Sequence, residues 1–285
     1  MENFDKTITV IIGKRSNLSF TLSKRLHTTD LLSSESLLES LFQLEKYNGK
    51  KINVVFNNFQ PSTQLKSFIN PPLYVDMSIS LTVKILTYFI NNGAKINKII
   101  YTSSSSVYGN SSTTDEDSQP CPVSIPSSLK RLNEQLLEKI CSQYNLNLTV
   151  VRIFNMYGGN DEFSIIRKIY DCYLNKTVLT IFNNGKSIRD FIHIDNVIDV
   201  YEKLLLNSSI NIQILNIGSG KGQSLSNILK NLSKNGYCID TSNAYSKEIP
   251  LSKSNIIRLS TVVDVASFID VNEYLLNKLN RTCQD

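Results

Sequence analysis

"TITVIIGKRSNLSFTLSKRL" (residues 7–26) passes from a β-branched run, through one glycine, into a segment with helical spacing. A strand that ends in Gly13 and feeds a helix within a few residues is the opening unit of a parallel α/β sheet. The same rhythm recurs in "KINVVFNNF" (51–59), "INKIIYTSS" (96–104) and "LNLTVVRIF" (146–154), each with a polar or small tail. Residues 17–26, 35–45, 74–92 and 127–144 carry helical spacing between them. This alternation predicts an α/β fold: a Rossmann-like, doubly wound parallel sheet covered on both faces. Ligands of such sheets bind outside the carboxyl ends of the strands, which directs attention to Gly13, Asn57, Ser104 and Asn155.

After residue 155 the rhythm changes to a helical stretch (161–175), a strand (178–182), "IRDFIHIDNVIDVYEKLLL", "IQILNIGSG" and two further helical segments. The expected organisation is a dinucleotide-binding domain over 1–155 and a smaller α/β substrate-binding lobe over 156–285, interwoven with the first.

The 285 residues are 41% hydrophobic and 19% charged, ordinary for a globular chain. The net charge of +5 is thinly spread, and Lys14–Arg15 is the one dense basic cluster, which argues against a nucleic-acid partner. Cys121, Cys141, Cys172, Cys238 and Cys283 show no C-x-x-C spacing, so reduced thiols are expected and a metal site is not. "MENFDKTITV" carries acids before a short apolar run, unlike a signal peptide. No stretch reaches the roughly 18 apolar residues that span a bilayer. A cytoplasmic protein without a membrane partner is the expectation.

In the first turn, Gly13 suits a tight bend, and Ser16 and Ser19 occupy the next two glycine positions of a dinucleotide motif. Ser16 can cap a helix beginning near Asn17. Alone, the motif reads equally well as an ordinary strand–turn–helix. Lys14 and Arg15 would suit an adenosine 2′-phosphate, whereas a free 2′-hydroxyl is usually met by an acid about 20 residues on. The acid seen there is Asp30, placed after a very short second strand. NADP(H) is therefore favoured over NAD(H), the alternative being two basic residues simply solvated on a loop.

Five segments, "YTSSSSVYG" (101–109), "KRLNEQLL" (130–137), "RIFNMYGG" (152–159), "RDFIHIDNV" (189–197) and "LNIGSGKGQSL" (215–225), occur in an order that resembles one family. This is the extended short-chain dehydrogenase/reductases, the NAD-dependent epimerase/dehydratases of nucleotide sugars. The abbreviated second-strand region resembles the dTDP-sugar reductase branch. The resemblance implies that Ser104 hydrogen-bonds the reacting oxygen of the sugar, and that Lys130 holds the nicotinamide ribose and lowers the pKa of a tyrosine four residues earlier. That position is Pro126, and no tyrosine lies between Tyr108 and Tyr144. Glu134 fits the acid that follows the lysine. Asn155 implies a contact to phosphate or sugar hydroxyls, Arg189 a clamp on the substrate's pyrophosphate, and His193 and Asp195 an orienting role. "GSGKGQS" (218–224) lacks the Ser or Thr a phosphate loop needs after Lys221, so it reads as a turn before a helix near Ser224.

A positioned general acid contributes about 10²–10⁴-fold. An epimerase needs that group twice, to remove a proton and return one; a reductase only protonates an alkoxide. Water, Ser104 or Tyr108 can serve there, with Lys130 supplying positive charge. The expectation is an NAD(P)H-dependent reductase of a nucleotide-activated keto-sugar, such as a dTDP-4-keto-6-deoxyhexose, in deoxysugar and surface-polysaccharide (O-antigen) biosynthesis. The alternatives are an epimerase/dehydratase like UDP-glucose 4-epimerase with a relocated base, and a non-catalytic member that binds nucleotide or a partner. The helices at 74–92 and from Ser127 either form a homodimer's four-helix interface, as in related proteins, or only cover the sheet.

Overall fold

The computed structural model describes residues 7–58, 70–111 and 114–282; Cys283 lies outside them. Two compact units alternate along the chain: residues 1–109, 119–152 and 201–215 form the first, and residues 110–118, 153–200 and 216–285 the second. Where the sequence suggested interwoven lobes divided at residue 155, the chain leaves the first unit after Arg152 and returns to it at Tyr201–Leu215. Sequence spacing could not reveal this, because a strand's periodicity does not say which sheet edge it joins.

The first unit is built on a six-stranded sheet. Its strands are β1 (Ile8–Ile12), β2 (Thr29–Leu32), β3 (Lys51–Phe56), β4 (Lys95–Ser104), β5 (Leu148–Ile153) and β9 (Ile214–Ile217), in the order β2-β1-β3-β4-β5-β9. The pairings among β1, β2, β3 and β4 are parallel. Val10, Ile11 and Ile12 are wholly buried, as are Ile52, Val54 and Phe56. Strands covered on both faces read as continuous apolar runs rather than alternating ones, which is why these segments were recognisable.

The flanking helices are α1 (Asn17–Arg25), α2 (Ser34–Glu39), α3 (Pro71–Val75), α4 (Leu81–Asn91) and α5 (Ile125–Gln143). The helical spacing at 35–45 resolves into α2 and a 3₁₀ segment, Phe42–Tyr47, because Ser40 is extended. Between α3 and α4 runs a π-helical turn, Asp76–Ser80. Asn58 Nδ2 donates to the Met77 carbonyl and to Thr82 Oγ1, each at 2.9 Å, and Asn133 Nδ2 donates to the Ser78 carbonyl. Side chains from β3's tail and from α5 thus take up carbonyls within the widened turn, a recognised cause of such irregularity. Contrary to the sequence reading, Pro72–Asn91 is long and apolar enough to cross a membrane by length and composition. Here Leu81, Ile85, Leu86 and Phe89 are fully buried in the first unit's core.

In the second unit, β8 (Ile188–His193) is the hub. It pairs parallel with β6 (Asn155–Tyr157) and β12 (Leu251–Ser252) and antiparallel with β10 (Gly222–Ser224). A separate parallel pair joins β7 (Leu179–Phe182) to β11 (Thr241–Ala244). The helices α6 (Ile165–Asn175), α8 (Leu225–Lys234) and α9 (Val271–Thr282) bury Ile166, Ile169, Ile228, Leu232, Leu275 and Leu279 in one cluster. A further helix, α7 (Ile194–Leu206), leads directly out of β8.

Lys98 on β4 is fully buried and donates to Asn147 Oδ1 at 2.8 Å and the Ile210 carbonyl at 2.9 Å. Burial pushes its pKa down to about 8 from 10.5. The unfolded chain then binds more protons than the folded one between those values, so this lysine's contribution to stability rises with pH across that window. In urea unfolding, the wild type should gain on Lys98→Met from pH 8 towards pH 10. A gap that stays constant would contradict the burial of a titrating ammonium.

Candidate active site

The carboxyl end of β4 and the first turns of α5 form one bonded assembly in the first unit. α5 opens with a capping box: Ser124 Oγ accepts from Ser127 N at 3.4 Å, and Ser127 Oγ accepts from Ser124 N at 3.1 Å. Pro126 is the second residue of the helix. First-turn N–H groups have no intrahelical partner, so proline fits there without disruption. Lys130 follows one turn later and its Nζ donates to the Thr102 carbonyl at 3.1 Å. Burial pushes Lys130 down to about 8, with the Glu134 carboxylate acting in the opposite sense.

Glu134, buried one turn further on, accepts from Arg152 Nε at 3.1 Å and Nη2 at 2.8 Å, from Arg131 Nη1 at 3.0 Å, and from Ser103 Oγ. α5 is thereby tied to Thr102 and Ser103, and Ser104 comes next. Ser104 is half-buried, and its Oγ accepts from Ser106 N at 3.2 Å, capping the 3₁₀ turn Ser105–Tyr108. That leaves its O–H as a donor. Tyr108, considered as an alternative acid, is 1% exposed. Its hydroxyl accepts from Arg152 Nη1 at 3.0 Å, and the guanidinium lies 4.8 Å from the ring centroid. Its hydroxyl is thus turned into the unit's interior, within the network that neutralises Arg152.

The other assembly lies where the strand order reverses, between β1 and β3, the crevice in which open α/β sheets take their ligands. Gly13 adopts φ +111°, and a Cβ there would run into the Asn57 carbonyl. Ser16 caps α1, its Oγ accepting from Ser19 N at 3.5 Å. Asn57 Nδ2 donates to Ser16 Oγ at 2.7 Å and Ser19 Oγ at 2.8 Å. One amide thus engages both serines that stand at glycine positions, and the glycine turn with its capped helix start fits a bound pyrophosphate. Asp30 is placed differently from expectation. It lies within β2, opposite Val10, and is held by Tyr47 Oη at 2.6 Å and Lys46 Nζ at 2.9 Å. Although burial alone would raise its pKa, these partners lower it. Arg15 Nη1 pairs with Glu35 Oε1 at 3.0 Å.

In the second unit, Asn155 opens β6, and its Nδ2 donates to the Asp190 carbonyl at 3.0 Å. Arg189 donates from Nη1 to the carbonyls of Ile188 (2.9 Å) and Ile249 (2.7 Å), and its Nη2 lies 3.8 Å from Glu248 Oε1. Burial lowers the pKa of Arg189, while Glu248 opposes that shift. Asp190, fully buried, accepts from Ser219 N (2.7 Å) and Oγ (2.6 Å), Gly220 N (3.0 Å), and Ser254 N (3.0 Å) and Oγ. "GSGKGQS" is therefore a turn closed on a carboxylate, and Ser224 caps α8 as expected. His193 Nδ1 accepts from Asp195 N at 3.2 Å, and its ring packs between Tyr157 and Tyr274. Among the described residues, no group of three or more His, Cys, Asp or Glu side chains could hold a metal ion.

Arg152, Asp190 and Glu35 were not singled out from sequence. For Arg152 a signal existed: a charge within the otherwise apolar "LTVVRIF" must be paired when buried.

Residues 4–218 match the NAD dependent epimerase/dehydratase family, and the chain belongs to it. CapI of Staphylococcus aureus is 27% identical over 188 residues, 61% of this chain and 55% of its own length. A UDP-glucuronate 4-epimerase of Thermodesulfobacterium geofontis is 29% identical over 205 residues, covering 67% and 61% of the two chains. The chain therefore matches less than two thirds of the length of these relatives. The fold is shared with MoeE5 in complex with UDP-glucose and NAD (TM-score 0.81, 18% identity, 97% and 99% of the two chains). The lean towards NADP(H) gains no support: Arg15 is already paired with a carboxylate, and this neighbour holds NAD.

Removing one partner of a buried ion pair costs about 3–5 kcal/mol. Glu134→Leu should therefore lower unfolding free energy by roughly that amount in urea titration, because Arg152 would remain buried and unneutralised.

Proposed function

We propose that the chain binds a nicotinamide dinucleotide and a nucleotide-activated sugar, and that it reduces a keto group on that sugar. When bound, the dinucleotide supplies the hydride. The observation that carries the reading is the anchoring of Lys130 to the end of β4, with Pro126 standing where the resemblance places the tyrosine. In this reading Ser104 donates its O–H to the sugar oxygen that becomes an alkoxide. Lys130 holds the nicotinamide ribose and supplies the proton the alkoxide takes up, regaining one from solvent. A single protonation asks less of the site than the paired removal and return of a proton. Asn155 and Arg189 receive the sugar and its pyrophosphate. A keto-sugar of the dTDP-4-keto-6-deoxyhexose type is the substrate class, and the cytoplasm the compartment.

The second reading, epimerisation or dehydration without net nicotinamide consumption, is favoured by the similarity to a UDP-glucuronate 4-epimerase. The two separate in one assay. With a keto-sugar nucleotide, a reductase consumes NADH or NADPH stoichiometrically; conversion of a sugar nucleotide with no absorbance loss at the nicotinamide band supports the second. Binding without either conversion leaves the non-catalytic alternative.

The acid form of Lys130 is required for reduction, so turnover should fall as pH rises through about 8. Pro126→Tyr should raise turnover by about 10²-fold or more and move that alkaline limb, since a second acid then shares the task. An unchanged rate and pH profile would count against the proposed role of Lys130.

A further inference from the structure

Glu134 stands one turn beyond Lys130 on α5, at the spacing where two side chains of a helix meet and opposite charges ordinarily pair. Lys130 Nζ is nevertheless turned to the neutral Thr102 carbonyl, 3.1 Å away. The other donors to Glu134 account for this. An ionised carboxylate offers about four lone-pair directions, two on each oxygen. Those of Oε1 are met by Arg152 Nε at 3.1 Å and by Ser103 Oγ, and those of Oε2 by Arg152 Nη2 at 2.8 Å and Arg131 Nη1 at 3.0 Å. Glu134 is thus filled, and two guanidinium groups outweigh its charge.

Of these donors, Arg131 is the one the fold can spare. Ser103 and Arg152 belong to strands of the sheet, and Arg152 is 1% exposed; Arg131 is 21% exposed and adjoins Lys130 on α5. Without it, one direction on Oε2 opens a turn away from an ammonium. An ion pair formed there would hold the Lys130 proton more tightly and draw Nζ off the end of β4. We propose that Arg131 is a positioning residue: by filling the last site on Glu134, it keeps Lys130 turned to the end of β4 and ready to give up its proton. The remaining titratable groups bonded into or facing this assembly are Tyr108, whose hydroxyl is held by Arg152, and Tyr101, which burial pushes up out of the range concerned.

The catalytic consequence rests on the proposed function, whereas the state of Lys130 is read on the protein alone. Lysine side-chain NMR of the full chain follows the titration, with Lys130→Met identifying the signal. Lys130 should titrate near pH 8 in the wild type. In Arg131→Gln, and equally in Arg131→Met, the midpoint should rise by about 0.5–1 pH unit, while Arg131→Lys, which keeps a cation beside Glu134, should shift less. With a keto-sugar nucleotide and NADH or NADPH, the alkaline limb of turnover should move up by the same amount in Arg131→Gln while the plateau below it falls. A merely structural defect lowers the plateau and leaves the limb in place. A Lys130 midpoint unmoved in both Arg131→Gln and Arg131→Met would overturn the assignment. A raised midpoint without any sugar conversion removes the proposed reaction alone, and one with an unmoved limb removes only the part given to Lys130 in it.

Discussion

A single buried carboxylate sets the geometry of the first unit's site. Glu134 receives donors from β5 through Arg152, from its own helix through Arg131, and from β4 through Ser103. An acid with two or more charged donors can be buried only if those donors stay where they are, because an unpaired ion in the interior is strongly unfavourable. The depth and rotation of α5 against β4 are fixed in consequence. Lys130 lies one turn before Glu134, so its reach to the Thr102 carbonyl is a result of that placement.

The two units use the same device with different polarity. In the first, one acid gathers guanidinium groups. In the second, Asp190 gathers backbone N–H groups and hydroxyls from the Ser219–Gly220 turn and from Ser254. Charge-assisted bonds of this kind are stronger than neutral ones and fix segments that are otherwise short and irregular. Loops that are neither strand nor helix thus acquire defined positions at the sites where ligands are expected.

Much of the fold could be read from the sequence because a parallel sheet writes itself as uninterrupted β-branched runs. The boundaries of α1 and β4 came within a residue or two of expectation. What escaped was anything decided by a distant side chain. The π-helical turn arises from Asn58 and Asn133, which belong to other elements. The place of β9 beside β5 depends on which edge is open, and the position of Asp30 inside β2 depends on register. At the site, Ser16 as helix cap followed from local rules, whereas the role of Asn57 in engaging both Ser16 and Ser19 required a strand neighbour to be known.

Pro126 occupies a first-turn position whose backbone makes no demand on the residue, between the two serines of the capping box. Proline costs the helix no backbone hydrogen bond there, because a first-turn N–H has no intrahelical acceptor to lose. The first turn of the helix that carries Lys130 thus accepts an inert ring at this position while its capping box stays closed on either side.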